Sequence, residues 1–214
     1  MARNDSFDIA GPAGGLEAVL MHPEEAPQAA AVVCHAHPLH GGMMHFKPVF
    51  RAAKALQEQG VAALRFNFRG VGRSAGTHDE GRGEQDDLRA ALDEIGRRFP
   101  GVPLFAGGFS FGSAVALRVA ARDERVRAAF ALGFPLSMVA DPSFVTARAL
   151  PRLFVQGEQD VYGAREAIQD LGAGATPPAE VVVVPGADHF FAGHLDELQD
   201  AVSRWAARRP WAPG

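Results

Sequence analysis

Cysteine is nearly missing: Cys34 stands alone among 214 residues. No internal disulfide can form, which excludes a small secreted scaffold held by bridges. Long apolar runs are missing too, since nothing approaches the roughly 20 residues needed to cross a bilayer. The opening M-A-R-N-D-S-F-D has no apolar core of the signal-peptide kind. A soluble, cytoplasmic protein without a membrane partner is the expectation. An excess of one charge is also lacking: 21 Lys and Arg against 25 Asp and Glu leave −4. The basic residues are scattered among acids, with no footprint for a phosphate backbone, so nucleic acid is not expected as a partner. No repeat, low-complexity segment or linker divides the chain, and one domain spanning residues 1–214 is expected. What is present is an ordinary globular composition, 47% apolar and 21% charged, with 24 Gly and 15 Pro for tight connections.

Apolar runs and helical periodicities alternate along the chain. Ala29 to Cys34, Val61 to Phe68, Val102 to Phe109, Val126 to Leu132, Arg152 to Gln156 and Glu180 to Val184 read as strands. Between them, Val49, Ala53 and Leu56 mark one helix face, and Leu88, Ala91, Leu92 and Ile95 another, with Glu84, Asp86 and Asp87 at its dipole-favoured start. Ser113 to Ala121, Ala164 to Leu171 and the Leu195, Leu198, Val202, Trp205 series predict three more helices. Such alternation implies an α/β fold, a mostly parallel sheet with helices on both faces. Phe7 to Met21 suits an antiparallel hairpin on the sheet's edge.

Gly108-Phe109-Ser110-Phe111-Gly112 matches G-x-S-x-G between a strand and a helix, the setting of a nucleophile elbow. So tight a turn leaves no room for side chains two residues either side of Ser110. Phe111 opens a helix, so its free N–H can face a developing oxyanion. A plain Gly/Ser turn closing a strand is the alternative. His189 follows the last strand, where an open parallel sheet gathers its active-site loops, and suits a general base. Asp160 follows the preceding strand, completing a chain order of Ser, Asp, His. It would accept the His189 Nδ1 proton and steady the imidazolium. Glu158 and Asp188 are rival acids, although Asp188, adjacent to His189, better suits a turn.

His35-Ala36-His37-Pro38-Leu39-His40-Gly41-Gly42 leaves the first parallel strand. Its His37 N–H is the candidate second oxyanion donor, with Leu39 as the alternative because Pro38 has no N–H. The same letters, with His45 nearby, admit a metal-dependent hydrolase built on His35, His37 and His40. Against it, Leu39 stands where such sites carry an aspartate, and packing or loop hydrogen bonds explain the histidines without a metal. No cofactor is expected. Arg69 to Ser74 does not keep the G-x-G-x-x-G spacing and reads as a turn. Cys34, on an apolar strand, reads as core. Leu39, His40, Phe111, Phe134, Phe190 and Phe191 are candidates for an apolar pocket, and phenylalanines are also ordinary core residues. Trp205 and Trp211, read as exposed, leave a homodimer open beside a monomer.

Together, H-A-H-P-L-H-G-G, F-N-F-R-G-V-G-R-S, G-F-S-F-G and G-A-D-H-F-F give a chain that resembles the small lidless α/β-hydrolases of bacteria over about residues 28–205. Ala36 and His40 depart from the first motif. The resemblance implies an eight-stranded, mainly parallel sheet of the α/β-hydrolase fold, and carboxylesterase-like acyl transfer on a small ester or thioester. Only a short segment lies between Gly133 and Arg152, too small for a cap domain, so an open site is expected. A peptidase or amidase on the same three residues, and a non-catalytic scaffold keeping the fold, are the other readings.

Overall fold

Strands that are apolar at every position can be buried only between two helical layers, and that is how this chain folds. The computed structural model describes residues 3–211. In chain order the elements are β1 (Arg3–Gly11), β2 (Gly14–His22), β3 (Ala29–Cys34), α1 (Lys47–Glu58), β4 (Val61–Phe66), α2 (Gly83–Arg98), β5 (Leu104–Phe109), α3 (Phe111–Ala120), β6 (Val126–Leu132), β7 (Arg152–Gly157), α4 (Arg165–Ala173), β8 (Glu180–Val184) and α5 (Leu195–Ala207). They build one eight-stranded sheet in the order β1-β2-β4-β3-β5-β6-β7-β8. The hairpin β1–β2 is antiparallel and joins β4 antiparallel, and every other neighbouring pair is parallel.

The period-two alternation of strand side chains divides the core in two. Ala30, Val32 and Cys34 face a layer holding Leu88, Leu92 and Ile95 of α2, Val115 and Val119 of α3, and Ile168 of α4. Ala29, Ala31 and Val33 face the other layer, with Val49 and Leu56 of α1 and Leu198, Val202 and Trp205 of α5. Helices therefore cover both faces. From β3 the chain turns to α1 on one face, whereas from β5 it turns to α3 on the other. Neighbouring parallel strands whose exits diverge leave a crevice at their C-terminal ends, where ligands bind in open α/β sheets.

Several boundaries and one surface assignment differ from expectation. β4 stops at Phe66 because the Phe68 N–H is taken by the His35 Nε2 at 3.0 Å rather than by a strand. β5 begins at Leu104, two residues late. α3 begins at Phe111, directly at the turn, and Ser113 bonds back to the Ser110 carbonyl at 2.6 Å. Trp205 and Trp211 are not exposed: they retain 3% and 5% of their surface. The chain reverses after α5 so that the Trp211 ring packs 4.6 Å from Phe105, which withdraws the aromatic argument for a dimer. Cys34 is fully buried, and burial, with Asp87 nearby, pushes its thiol well above the usual range. No helix among the described residues is long and apolar enough to cross a membrane.

Candidate active site

At the mouth of the β3/β5 crevice, the chain passes from β5 to α3 through Ser110 alone. Its backbone sits at φ 53°, ψ −123°, a conformation that costs a non-glycine residue about 1–3 kcal/mol and is tolerated where the surroundings enforce it. The flanking glycines are the reason it can be reached. A Cβ on Gly108 would lie 2.6 Å from the Cys34 carbonyl oxygen, and one on Gly112 would lie 2.7 Å from the same atom and press on the His35 carbonyl. Both obstacles are backbone of β3 and its exit, which cannot swing aside. Gly112→Ala is therefore expected to destabilise the protein by roughly 1–3 kcal/mol, read as a lower urea midpoint at unchanged slope.

The turn presents Ser110 Oγ at 2.9 Å from His189 Nε2. His189 Nδ1 in turn lies 2.7 Å from Asp160 Oδ2. The structure thus brings Ser110, His189 and Asp160 into one hydrogen-bonded chain, with His189 and Asp160 both buried. Each comes from the loop after a different strand, β5, β8 and β7. His189 is held from both ends: Asp188 Oδ1 accepts the N–H groups of Phe190 and Ala192 at 3.0 Å each, and Phe109 and Tyr162 flank its ring. The rival acids are committed elsewhere, Asp188 to that turn and Glu158 to the Gly186 N–H at 2.9 Å. A strand residue that sequence pattern does not mark as functional completes the arrangement. Buried Gln156 donates to Asp160 Oδ2 at 2.7 Å while its own carbonyl accepts the Phe134 N–H at 2.9 Å.

Beside Ser110, the N–H groups of Phe111 and His37 have no hydrogen-bond partner among the described residues, whereas the Leu39 N–H donates to His37 Nδ1 at 3.2 Å. Of the two alternatives in the β3 exit loop, His37 is the free donor. Its ring stacks on His40 and meets His78. Burial, with His78 and His40 close by, holds the His37 imidazole below its ordinary range, in keeping with an Nδ1 that accepts. Among the described residues no three His, Cys, Asp or Glu side chains converge as a metal centre requires. His35 has both ring nitrogens engaged by backbone, at Ala36 O and Phe68 N, and His45 is exposed.

A cleft of about 680 Å³ opens over Ser110. His40, Phe111 and Phe190 line it, as expected from the sequence. Phe134 and Leu39 do not. Phe134 is fully buried against Phe154 and Phe144, and Leu39 is 71% exposed, outside the cleft. Phe191 is likewise core. The wall instead gains Phe46, His78, Arg82, Arg118 and Tyr162. Tyr162 shares the Asp160 loop and Arg118 lies two helical turns from Ser110, so spacing could have pointed to both. Phe46, His78 and Arg82 carry no local signal, because only folding brings their loops to Ser110.

A sequence model of the family described as "Alpha/beta hydrolase domain" matches residues 29–206. The chain belongs to the alpha/beta hydrolase family. An α/β serine hydrolase homologue from Coxiella burnetii is 38% identical, with a TM-score of 0.87 over 94% of this chain and 96% of that one. A lidless α/β serine hydrolase from Xanthomonas campestris is 36% identical, with a TM-score of 0.88 over 99% and 96%. An uncharacterized protein from Rickettsia prowazekii is 32% identical over 90% of this chain and 84% of its own length. Among the described residues nothing forms a lid over the cleft. Between β6 and β7 stand only two single-turn 3-10 segments, Leu136–Met138 and Ser143–Val145, and the cleft opens directly outward.

Proposed function

We propose that this alpha/beta hydrolase cleaves carboxylic esters or thioesters through an acyl-enzyme on Ser110. One observation carries the reading: the unbroken chain from Ser110 Oγ to His189 Nε2 at 2.9 Å and from His189 Nδ1 to Asp160 at 2.7 Å. Ser110 Oγ attacks the carbonyl carbon as its proton passes to His189 Nε2. The oxygen of the tetrahedral intermediate takes hydrogen bonds from the Phe111 and His37 N–H groups, and the start of α3 adds its dipole. His189 then protonates the leaving oxygen or sulfur, and the acyl group stays on Ser110. Water enters, gives a proton to His189 and attacks the acyl carbon. Ser110 regains its proton, and the free acid leaves. Throughout, the Asp160 carboxylate fixes the tautomer of His189 and stabilises its charged form.

A fluorophosphonate probe is expected to label the protein stoichiometrically, and Ser110→Ala to abolish both labelling and p-nitrophenyl butyrate hydrolysis. Persistent labelling of Ser110→Ala would overturn the assignment. Absence of labelling in the wild type would overturn serine chemistry altogether.

A further inference from the structure

Ser110, Ala114 and Arg118 are spaced by four along the start of α3, which places them on one stripe of the helix. All three line the cleft. Ala114 adds only a methyl to the lining, and Pro135, Met138 and Val139 line the same cleft. By helical rise, the Arg118 Cα lies about 12 Å beyond that of Ser110. Ala114, Val115, Pro135, Met138 and Val139 give this cleft apolar lining, and Arg118 brings a guanidinium to it.

Arg118 stands apart from the other cations around the cleft. Arg82 is neutralised by Asp79 at 2.9 Å and Glu80 at 3.5 Å. Arg118 is half-buried, and its guanidinium carbon lies 4.1 Å from the Phe144 ring centroid. Among the described residues it makes no ion pair and no side-chain hydrogen bond. Asp141 is the acid that acts on it through space, but that carboxylate is already taken by the Ser143 N–H and hydroxyl, each at 2.9 Å. Arg122, one turn on, adds a like charge. A guanidinium held against an aromatic ring keeps its in-plane N–H groups free for the two oxygens of an oxyanion.

The direction of the substrate follows from the proton path. The leaving group must take its proton from His189 Nε2, so it lies beside Phe190 and Tyr162, which flank that ring. The acyl part then runs the other way, along α3. We propose that Arg118 is an anion-binding subsite for the far end of the acyl chain, and that the enzyme's substrates are esters or thioesters whose acyl group ends in a carboxylate or phosphate. This rests on the acyl-enzyme reading above.

The test compares p-nitrophenyl monoesters of adipic and suberic acid with the same compounds capped as methyl esters, and with p-nitrophenyl alkanoates ending in a phosphonate. Rates for wild type and Arg118→Gln are normalised to active sites titrated with a fluorophosphonate. The wild type is expected to favour the anionic chain over its neutral cap by about ten-fold or more in kcat/KM, chiefly through KM. Arg118→Gln is expected to lose that preference. The order of carboxylate and phosphonate identifies the oxyanion. Added salt should shrink the wild-type preference, a readout that needs no variant. Equal wild-type rates on free and capped chains, or an undiminished preference in Arg118→Gln, overturn the subsite and leave Ser110 chemistry standing. Failure of the wild type both to label and to turn over any of these esters overturns the acyl-enzyme reading, and the subsite with it.

Discussion

Asp160→Asn is expected to lower kcat by up to about 10⁴-fold while leaving the fold intact. The size follows from who faces the carboxylate. Its Oδ2 accepts from His189 Nδ1 and from Gln156 Nε2, each at 2.7 Å, and its Oδ1 accepts from the Tyr162 N–H at 2.8 Å. All three neighbours donate, and neither fixed partner can reverse: the Tyr162 N–H is backbone, and Gln156 is locked by the Phe134 N–H on its carbonyl oxygen. An asparagine has one acceptor and one donor end, so in either orientation a donor meets a donor. With the amide nitrogen towards His189, the imidazole must present a lone pair at Nδ1 and carry its proton on Nε2, where it can no longer take one from Ser110. With the oxygen towards His189 the tautomer survives, but the charge that stabilises the imidazolium is gone and the Tyr162 N–H is orphaned. Steady-state hydrolysis of p-nitrophenyl butyrate, scaled to labelled Ser110, measures the loss. A decrease of less than ten-fold would mean that another group supports His189.

Legibility in the sequence tracked whether the deciding force was local. β3, β6 and β8 run between the residues expected, because each is a mostly apolar segment, broken only by Arg127 in β6 and opened by Glu180 in β8. β4 is shorter than its apolar pattern, which continues to Phe68, because what ends the strand is a side chain distant in sequence, His35. Ser110, Asp160 and His189 could be nominated because each lies in the turn or loop that follows a strand, and parallel strands deliver their exits to one edge. Hydrophobicity alone could not say which face of the chain an aromatic would take. Phe134, a cleft candidate by composition, lies in the core, Trp211 lies against Phe105 rather than at the surface, and Phe190 and Phe191, adjacent, divide between cleft and core. Gln156 was invisible for another reason: it sits at the end of an apolar strand, and only the folded β7 exit aims its amide at Asp160.

The second large effect concerns stability rather than rate, and its source is His35. This residue directly follows β3 at the base of the His37 loop, fully buried, with Phe68 packed edge-on 4.8 Å from its ring. The Phe68 N–H can only donate, so Nε2 must carry the lone pair, and Nδ1 donates to the Ala36 carbonyl at 2.7 Å. A second proton would have to sit on Nε2, against that N–H and away from water. Burial accordingly pushes the His35 pKa down to about 4 from 6.5. The sign is fixed by linkage: the unfolded chain takes up the proton first, so the full contribution is present above pH 6.5 and is lost as pH falls towards 4. A shift of this size corresponds to about 3 kcal/mol. Urea unfolding between neutral pH and pH 4 is expected to show this loss, and His35→Gln, less stable at neutral pH, is expected to show a flatter dependence over the same interval. Parallel curves for the two proteins would refute the assignment to His35. The His35 carbonyl also stands against Gly112, so the residue that carries this pH dependence is packed against the Ser110 turn as well.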